Sequence, residues 1–242
     1  MALPPLSNVY ALSLTRRLDF FLRMINYDPN KHISDLADTL QSGREIYSRA
    51  RARAAWILRS GKLDHWTLSH RSQLVVINSH EVTLERQSPV SLCTAVLAQA
   101  LYNKTDGVVL YWSCARNIHQ DAGDLVKSLI GQLLQHGDDT LMSNLWENLM
   151  SPDRTTFDEL LKLFETLLHA QLGKSDIFVI IDSVSAYEDT SRSVAIRQVF
   201  QKFYDLVEDD DGANALKILT TSPTHSIFLG TILDDHEPTV LK

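Results

Sequence analysis

Glycine is scarce in this chain. It supplies nine of 242 residues, or 3.7%, against about 7% in average proteins. No glycine occurs from residue 62 to residue 106. A loop that cradles phosphate usually needs glycine, because successive backbone N–H groups must point at the phosphate oxygens. The absence of glycine from this stretch therefore argues against a phosphate-binding loop of the usual kind within it.

Cysteine and long apolar runs are also lacking. Two cysteines, Cys93 and Cys114, cannot form a disulfide framework, and they favour reduced thiols in a cytoplasmic or nuclear protein. No run of 18 apolar residues is present, so no membrane-spanning helix and no membrane partner are expected. Residues 1–17 lack the basic-then-apolar order of a signal peptide.

The net charge of −7 is unevenly distributed. Residues 1–75 hold 11 Lys+Arg and 6 Asp+Glu, a balance of +5, whereas residues 76–242 hold 12 and 24, a balance of −12. A basic N-terminal third could meet an acidic partner or nucleic acid, although a solvated helical face is the commoner role of such charges. The overall acidity argues against a dedicated nucleic-acid binder.

The first sixty residues have helical periodicity. Apolar spacing predicts one helix over about 12–25 and a second over about 33–60. The arginines of the second helix fall between its apolar positions and are expected to be exposed; they form a candidate interaction surface of Arg49, Arg51, Arg53 and Arg59. We therefore expect an N-terminal helical segment, 1–62, packed on or extending a core at 63–242.

From residue 73 onward, short apolar strands alternate with helices. The predicted strands are 74–77, 108–112, 177–181 and 216–221, and the predicted helices are 89–102, 121–135, 141–150, 156–172 and 191–207. Strands that are continuously apolar and separated by helices indicate a parallel sheet covered on both faces, an α/β fold. Ligands of such sheets bind beyond the carboxyl ends of the strands.

Three stretches of this core resemble a known family. Gln73–Leu101 has the form of a strand, loop and helix; Val108–Leu134 reads VVLYWSCARNIHQDAGDLVKSLIGQLL; and Ile177–Asp189 with Lys217–Pro223 supplies two more strand ends. In this order they resemble the phosphate-loop unit, the second strand and helix, and the Walker B and sensor strands of fungal NACHT-type STAND nucleoside triphosphatases. The resemblance covers about residues 60–228 and implies a three-layer P-loop-NTPase-like fold with a mostly parallel sheet.

The loop at 78–90 departs from that family's pattern. The resemblance places Pro89 at the position of the phosphate-binding lysine and Val90 at that of the magnesium-binding hydroxyl. Proline also lacks an N–H donor. Glu81 and Glu85 would repel a polyphosphate, and Arg86 is the one residue of the loop that could attract an anion. We therefore expect no nucleotide binding of the usual kind.

The other two strand ends depart as well. The resemblance makes Asp182 the Walker B acid and places the following acidic pair at Ser185 and Ala186, which cannot polarise a water for attack on phosphate. Glu188 and Asp189 could replace that pair only if the turn were rearranged. The arginine of the family's sensor turn is missing before Pro223. An equally good role for Asp182 is to cap the following turn.

These departures lead to a pseudo-NTPase without cofactor or metal that serves as a protein-interaction or scaffold subunit of a larger intracellular assembly. One alternative is an NTP-binding switch that uses Arg86, Asp182 and backbone donors. A second is a RecA-like subunit that contacts DNA through the arginines of the basic helix. The sequence ends soon after the sensor strand, so the resemblance implies either a reduced member or a piece of a longer chain.

Overall fold

The computed structural model describes residues 14–79, 88–137, 156–189, 191–209, 213–224, 226 and 239–241. The predicted helix at 141–150 and the loop residues Glu81, Glu85 and Arg86 lie outside the described residues.

In the described chain, four helices precede the first strand, and further helices follow it between the strands. The helices are α1 (Leu14–Met24), α2 (Lys31–Glu45), α3 (Ser48–Leu58), α4 (Gly61–Leu68), α5 (Pro89–Lys104), α6 (Ala122–His136), α7 (Phe157–Leu172) and α8 (Ser193–Glu208). A 3₁₀ turn spans Val184–Tyr187. The strands are β1 (Gln73–Asn78), β2 (Val108–Ser113), β3 (Ile177–Asp182), β4 (Leu216–Ser222) and β5 (Thr239–Leu241).

The five strands form one sheet in the order β2-β3-β4-β1-β5, and every pairing between them is parallel. The four predicted strands and the α/β fold class are confirmed, and helices on both sides of the sheet give the three-layer arrangement of a P-loop-like fold. β4 lies between β1 and β3, so the carboxyl ends of four neighbouring strands share one edge. β5 has only three residues, too few for hydrophobic periodicity to predict it.

The sheet buries apolar side chains on both of its faces. Leu110, Val179 and Ile218 belong to the cluster that contains residues of α1, α6, α7 and α8. Tyr111 and Ile180 belong to the opposite cluster, which contains residues of α2, α3, α4 and α5. Because successive strand residues point to opposite faces, a strand covered on both sides is apolar at most of its positions.

The predicted single helix at 33–60 is wrong. The chain leaves helical geometry at Ile46, whose φ of −67° and ψ of 147° are extended, and α3 then begins at Ser48. Neither proline nor glycine occupies the break, and Ile46 and Ala50 are both buried, so the apolar spacing continues across it. α4 is a third helix in this region, and the predicted boundary after residue 62 falls inside it.

The N-terminal helices lie against the core at two glycines. A Cβ atom on Gly43 of α2 would lie 2.3 Å from Leu92 of α5. A Cβ atom on Gly131 of α6 would lie 2.4 to 2.6 Å from ring atoms of Tyr27 in the α1–α2 turn. The absence of side chains at both glycines lets these elements approach closely.

Candidate functional site

Asp182 stands at the carboxyl end of β3 and is 1% exposed. Its Oδ1 accepts hydrogen bonds from Thr221 Oγ1 of β4 at 2.8 Å and from Thr94 Oγ1 of α5 at 3.4 Å. Its Oδ2 accepts one from Ser113 Oγ of β2 at 3.0 Å. Three strands and one helix therefore converge on a single buried carboxyl group.

Burial raises the pKa of Asp182, and hydrogen bonds from neighbouring hydroxyls partly oppose that rise. Within the described part of the chain, no Lys, Arg or His side chain is bonded to this carboxyl. A carboxylate has about four acceptor sites, and hydroxyls of the protein itself occupy three of them. The arrangement therefore stabilises Asp182 internally and leaves it little capacity for an external ligand.

The residue after Asp182 fixes the turn in a strained shape. Ser183 is fully buried and adopts left-handed backbone angles, φ 59° and ψ 46°. Its N–H donates to Thr221 Oγ1 at 3.0 Å, and its Oγ lies 3.0 Å from Ser91 Oγ. This conformation is unfavourable for a residue with a Cβ atom, so the surrounding bonds must hold it.

The start of α5 has the features of a packed helix terminus. Pro89 is the first helical residue, and Ser88 Oγ accepts the Val90 N–H at 3.2 Å. Val90 is fully buried and belongs to the same apolar cluster as Val75 and Ile77 of β1. The position that the resemblance assigns to a metal-binding hydroxyl is thus a core position. Neither Pro89 nor Val90 offers a free N–H to an anion.

Ser185 and Ala186 lie in the 3₁₀ turn after Asp182. Ser185 Oγ is buried and has no hydrogen-bond partner among the described residues, while the carbonyl of Ala186 accepts from Arg192 Nη2 at 3.1 Å.

The two acids that follow this turn are engaged with other residues. Arg192 Nε donates to Asp189 Oδ2 at 2.6 Å, and hydrogen bonds from Arg192 and Ser191 lower the pKa of Asp189. Ser226 Oγ donates to a carboxylate oxygen of Glu188. Both carboxylates therefore hold this turn to neighbouring segments.

Pro223 and Ser79 connect the ends of β4 and β1. Ser79 Oγ donates to the carbonyl of Pro223 at 2.8 Å, and Arg53 Nη2 of α3 donates to the carbonyl of Ser79 at 2.7 Å. Arg53 is exposed, as are Arg49, Arg51 and Arg59. The bond to Ser79 places the middle of the basic helix α3 beside the carboxyl edge of the sheet.

A cavity of about 280 Å³ opens between α3 and the end of β1. Its lining residues are Arg53, Trp56, Ile57, Ser60, Lys62, Ile77, Asn78 and Ser79. Ser60 Oγ and Asn78 Oδ1 are buried and have no hydrogen-bond partner in the described part of the chain. Sequence reasoning missed this cavity, because only tertiary packing brings its two walls together.

The described residues contain no group of three or more His, Cys, Asp or Glu side chains that could hold a metal ion. Cys93 and Cys114 are both buried, and burial raises the pKa of the Cys93 thiol to about 12. None of the helices in the described ranges combines the length and apolarity needed to cross a bilayer.

The parallel sheet, its flanking helices and the buried aspartate at its carboxyl edge define an α/β protein of the three-layer, P-loop-like class. The family model described as "Nephrocystin 3, N-terminal" matches residues 53–222, which are 170 of the 242 residues. The chain belongs to the Nephrocystin 3 N-terminal family. No curated protein matches it. The match runs from α3 to the end of β4 and includes Arg53, Asp182 and Thr221.

Proposed function

We propose that this chain is a pseudo-NTPase that acts as a protein-interaction or scaffold subunit of a larger assembly. The observation that carries the proposal is that the Asp182 carboxyl is buried and already hydrogen-bonded within the protein. It is 1% exposed and bonded to hydroxyls of Thr221, Thr94 and Ser113.

Phosphoryl transfer needs several groups together: a cation or backbone cradle for the phosphates, a metal held by an acid, and a residue that orients the nucleophile. At the corresponding positions this chain has Pro89, Val90, Ser185 and Ala186. Val90 packs in the core, and the Val90 N–H is already bonded to Ser88. The loss of several parts at one edge of the sheet supports a degenerate relative of the NACHT-type STAND proteins more strongly than any single change would.

The surface supports the interaction role. Tyr47 and Trp56 are 67% and 68% exposed, and Arg49, Arg51 and Arg53 are exposed on the same helical segment. Tyrosine, tryptophan and arginine are the residue types that most often dominate binding energy at protein interfaces. A protein that keeps this fold without its chemistry would act through such a surface.

Isothermal titration calorimetry with ATP and with GTP, each with magnesium, tests the loss of nucleotide binding. We expect no binding up to millimolar nucleotide. Micromolar binding that Asp182→Asn abolishes would overturn the proposal and favour the NTP-binding switch. The matched control is Asp205→Asn, at an exposed position on α8. Far-UV circular dichroism of both variants separates lost binding from lost folding.

A further inference from the structure

We infer that α3 and the cavity beside it bind an acidic segment of a partner protein that anchors itself with an aromatic side chain. The inference rests on the proposed interaction function and specifies the chemistry of the partner. We call this region the docking surface; it consists of Arg49, Arg53, Trp56 and the cavity of about 280 Å³.

The charge of the docking surface is of one sign. Residues 48–62 contain five Lys+Arg and no Asp+Glu, a local balance of +5. The side chains of Arg49 and Arg53 are exposed, and within the described residues neither forms an ion pair. Electrostatic complementarity therefore favours a partner segment rich in aspartate and glutamate.

The cavity is large enough for an aromatic side chain. A cavity of about 150 Å³ in another protein binds benzene, and this one measures about 280 Å³. Ile57 and Ile77 supply apolar walls, and Trp56 stands at the cavity with 68% of its surface exposed. An aromatic anchor would bury the Trp56 ring together with these walls.

Arg53 joins the two parts of the docking surface. One of its nitrogens donates to the carbonyl of Ser79 at 2.7 Å, which holds the guanidinium at the cavity. An arginine has five N–H donors in a fixed geometry, so others can bind a carboxylate. This places an acidic residue of the partner next to its aromatic anchor.

A nucleic acid fits these observations less well. Residues 76–242 carry a balance of −12, and an extended phosphate backbone that left the docking surface would meet this charge. A short acidic segment with one aromatic anchor would contact only the basic helix and the cavity.

Selection of phage-displayed random peptides on the whole chain tests the inference. We expect enrichment of peptides that combine aspartate and glutamate with an aromatic residue. Fluorescence anisotropy of a labelled selected peptide should show affinity at least about tenfold weaker for Arg49→Glu and for Trp56→Ala, the loss typical of a hot-spot residue. Arg197→Glu, at an exposed position on α8, should retain wild-type affinity.

A second measurement isolates the anchor. Replacing the peptide's aromatic residue by alanine should weaken binding to the wild-type chain but change binding to Trp56→Ala much less, because that variant lacks the ring against which the anchor packs. Circular dichroism verifies folding of each variant.

Three outcomes would overturn the inference: no enriched peptides, enriched peptides without acidic and aromatic residues, or affinities unchanged by Arg49→Glu and Trp56→Ala. Displacement of the peptide by a thymidine oligonucleotide at physiological salt would also overturn the inference, because it would show that the docking surface binds nucleic acid. Nucleotide binding in the calorimetry would instead overturn the proposed pseudo-NTPase, so the two failures are distinguishable.

Discussion

Thr221 Oγ1 lies 2.8 Å from Asp182 Oδ1, and the same hydroxyl accepts the N–H of Ser183 at 3.0 Å. The Thr221 hydroxyl of β4 therefore donates a hydrogen bond to the buried carboxyl of Asp182 and accepts one from the strained residue that follows it, Ser183. In this arrangement Asp182 contributes to stability by joining strand ends. That role leads to measurable consequences.

Asp182→Asn should destabilise the protein most at low pH. Burial raises the pKa of Asp182, so above its ordinary value of about 3.9 the folded state binds more protons than the unfolded state. The free energy of unfolding of the wild type then falls as pH rises through this window, whereas asparagine does not titrate. We expect a deficit of about 1–2 kcal/mol at acidic pH for the imperfect hydrogen bonds of the amide, and a smaller one near neutrality. Urea unfolding of both proteins across this range measures it.

A deficit that grew with rising pH would contradict this prediction. It would mean that the folded state lowers the pKa of Asp182, as a nearby cation would do.

His32→Gln should make the protein less sensitive to acid. His32 is 6% exposed, and burial is the main cause that lowers its pKa to about 4, against the opposing effect of Asp35. A histidine whose pKa is lowered in the folded state contributes stability that is fully present above about pH 6.5. That contribution is lost as the pH falls toward 4, by at most about 1.4 kcal/mol per pH unit. Urea unfolding at several pH values should show a shallower slope for the variant.

The exposed histidine His119 supplies the control, and His119→Gln should keep the wild-type slope. Equal slopes for wild type and His32→Gln would show that His32 does not contribute to the acid sensitivity.

Gly131→Ala should cost more stability than Gly43→Ala. The new Cβ at 131 would meet several ring atoms of Tyr27 at 2.4 to 2.6 Å, whereas at 43 it would meet Leu92, whose Cδ1 at 2.3 Å is the end of a flexible side chain. Overpacking costs about 1–3 kcal/mol, and removing a helical glycine returns up to about 1 kcal/mol. Thermal unfolding should rank the two variants in this order.

Gly61→Ala is the matched control for these glycines. Gly61 begins α4, and a Cβ atom there would have no other described atom within 4 Å beyond its chain neighbours and its own helix. The substitution should leave stability unchanged or raise it by up to about 1 kcal/mol. A loss as large as that of Gly131→Ala would show that close packing does not explain the glycine positions.

Ser183→Ala and Ser183→Gly should differ in stability. Both lose the hydrogen bond to Ser91, but only glycine relieves the left-handed backbone with φ 59°. The glycine variant should therefore be more stable than the alanine variant by roughly 1–2 kcal/mol. Chemical denaturation of the pair measures this difference directly, and equal stabilities would mean that the turn relaxes to another conformation.

Local patterns were sufficient to predict the four central strands. β1, β2 and β3 contain continuous apolar runs buried on both faces, and β4 carries Lys217 among apolar and β-branched residues, so the strands' own residues identify them. The break at Ile46 could not be predicted in the same way. Apolar spacing continues from α2 into α3, and neither proline nor glycine occupies the break, so the local sequence carries no signal for it.

The site was predictable in part. Asp182 ends an apolar strand, and that position identified it from the sequence alone. Its partners could not be identified, because Ser113 and Thr221 flank Asp182 only through the strand order β2-β3-β4. The cavity beside α3 depends similarly on the contact between Arg53 and Ser79, residues 26 positions apart.

The packing of Tyr27 on Gly131 also has an evolutionary consequence. The ring occupies the volume that a side chain at 131 would need, so the two positions share a single space between the α1–α2 turn and α6. Relatives that carry a larger residue at 131 should carry a smaller one at 27. The two positions would then covary, although position 27 lies before the residues that the family model matches. Such covariation would mean that the segment that evolves together with the domain begins before residue 53.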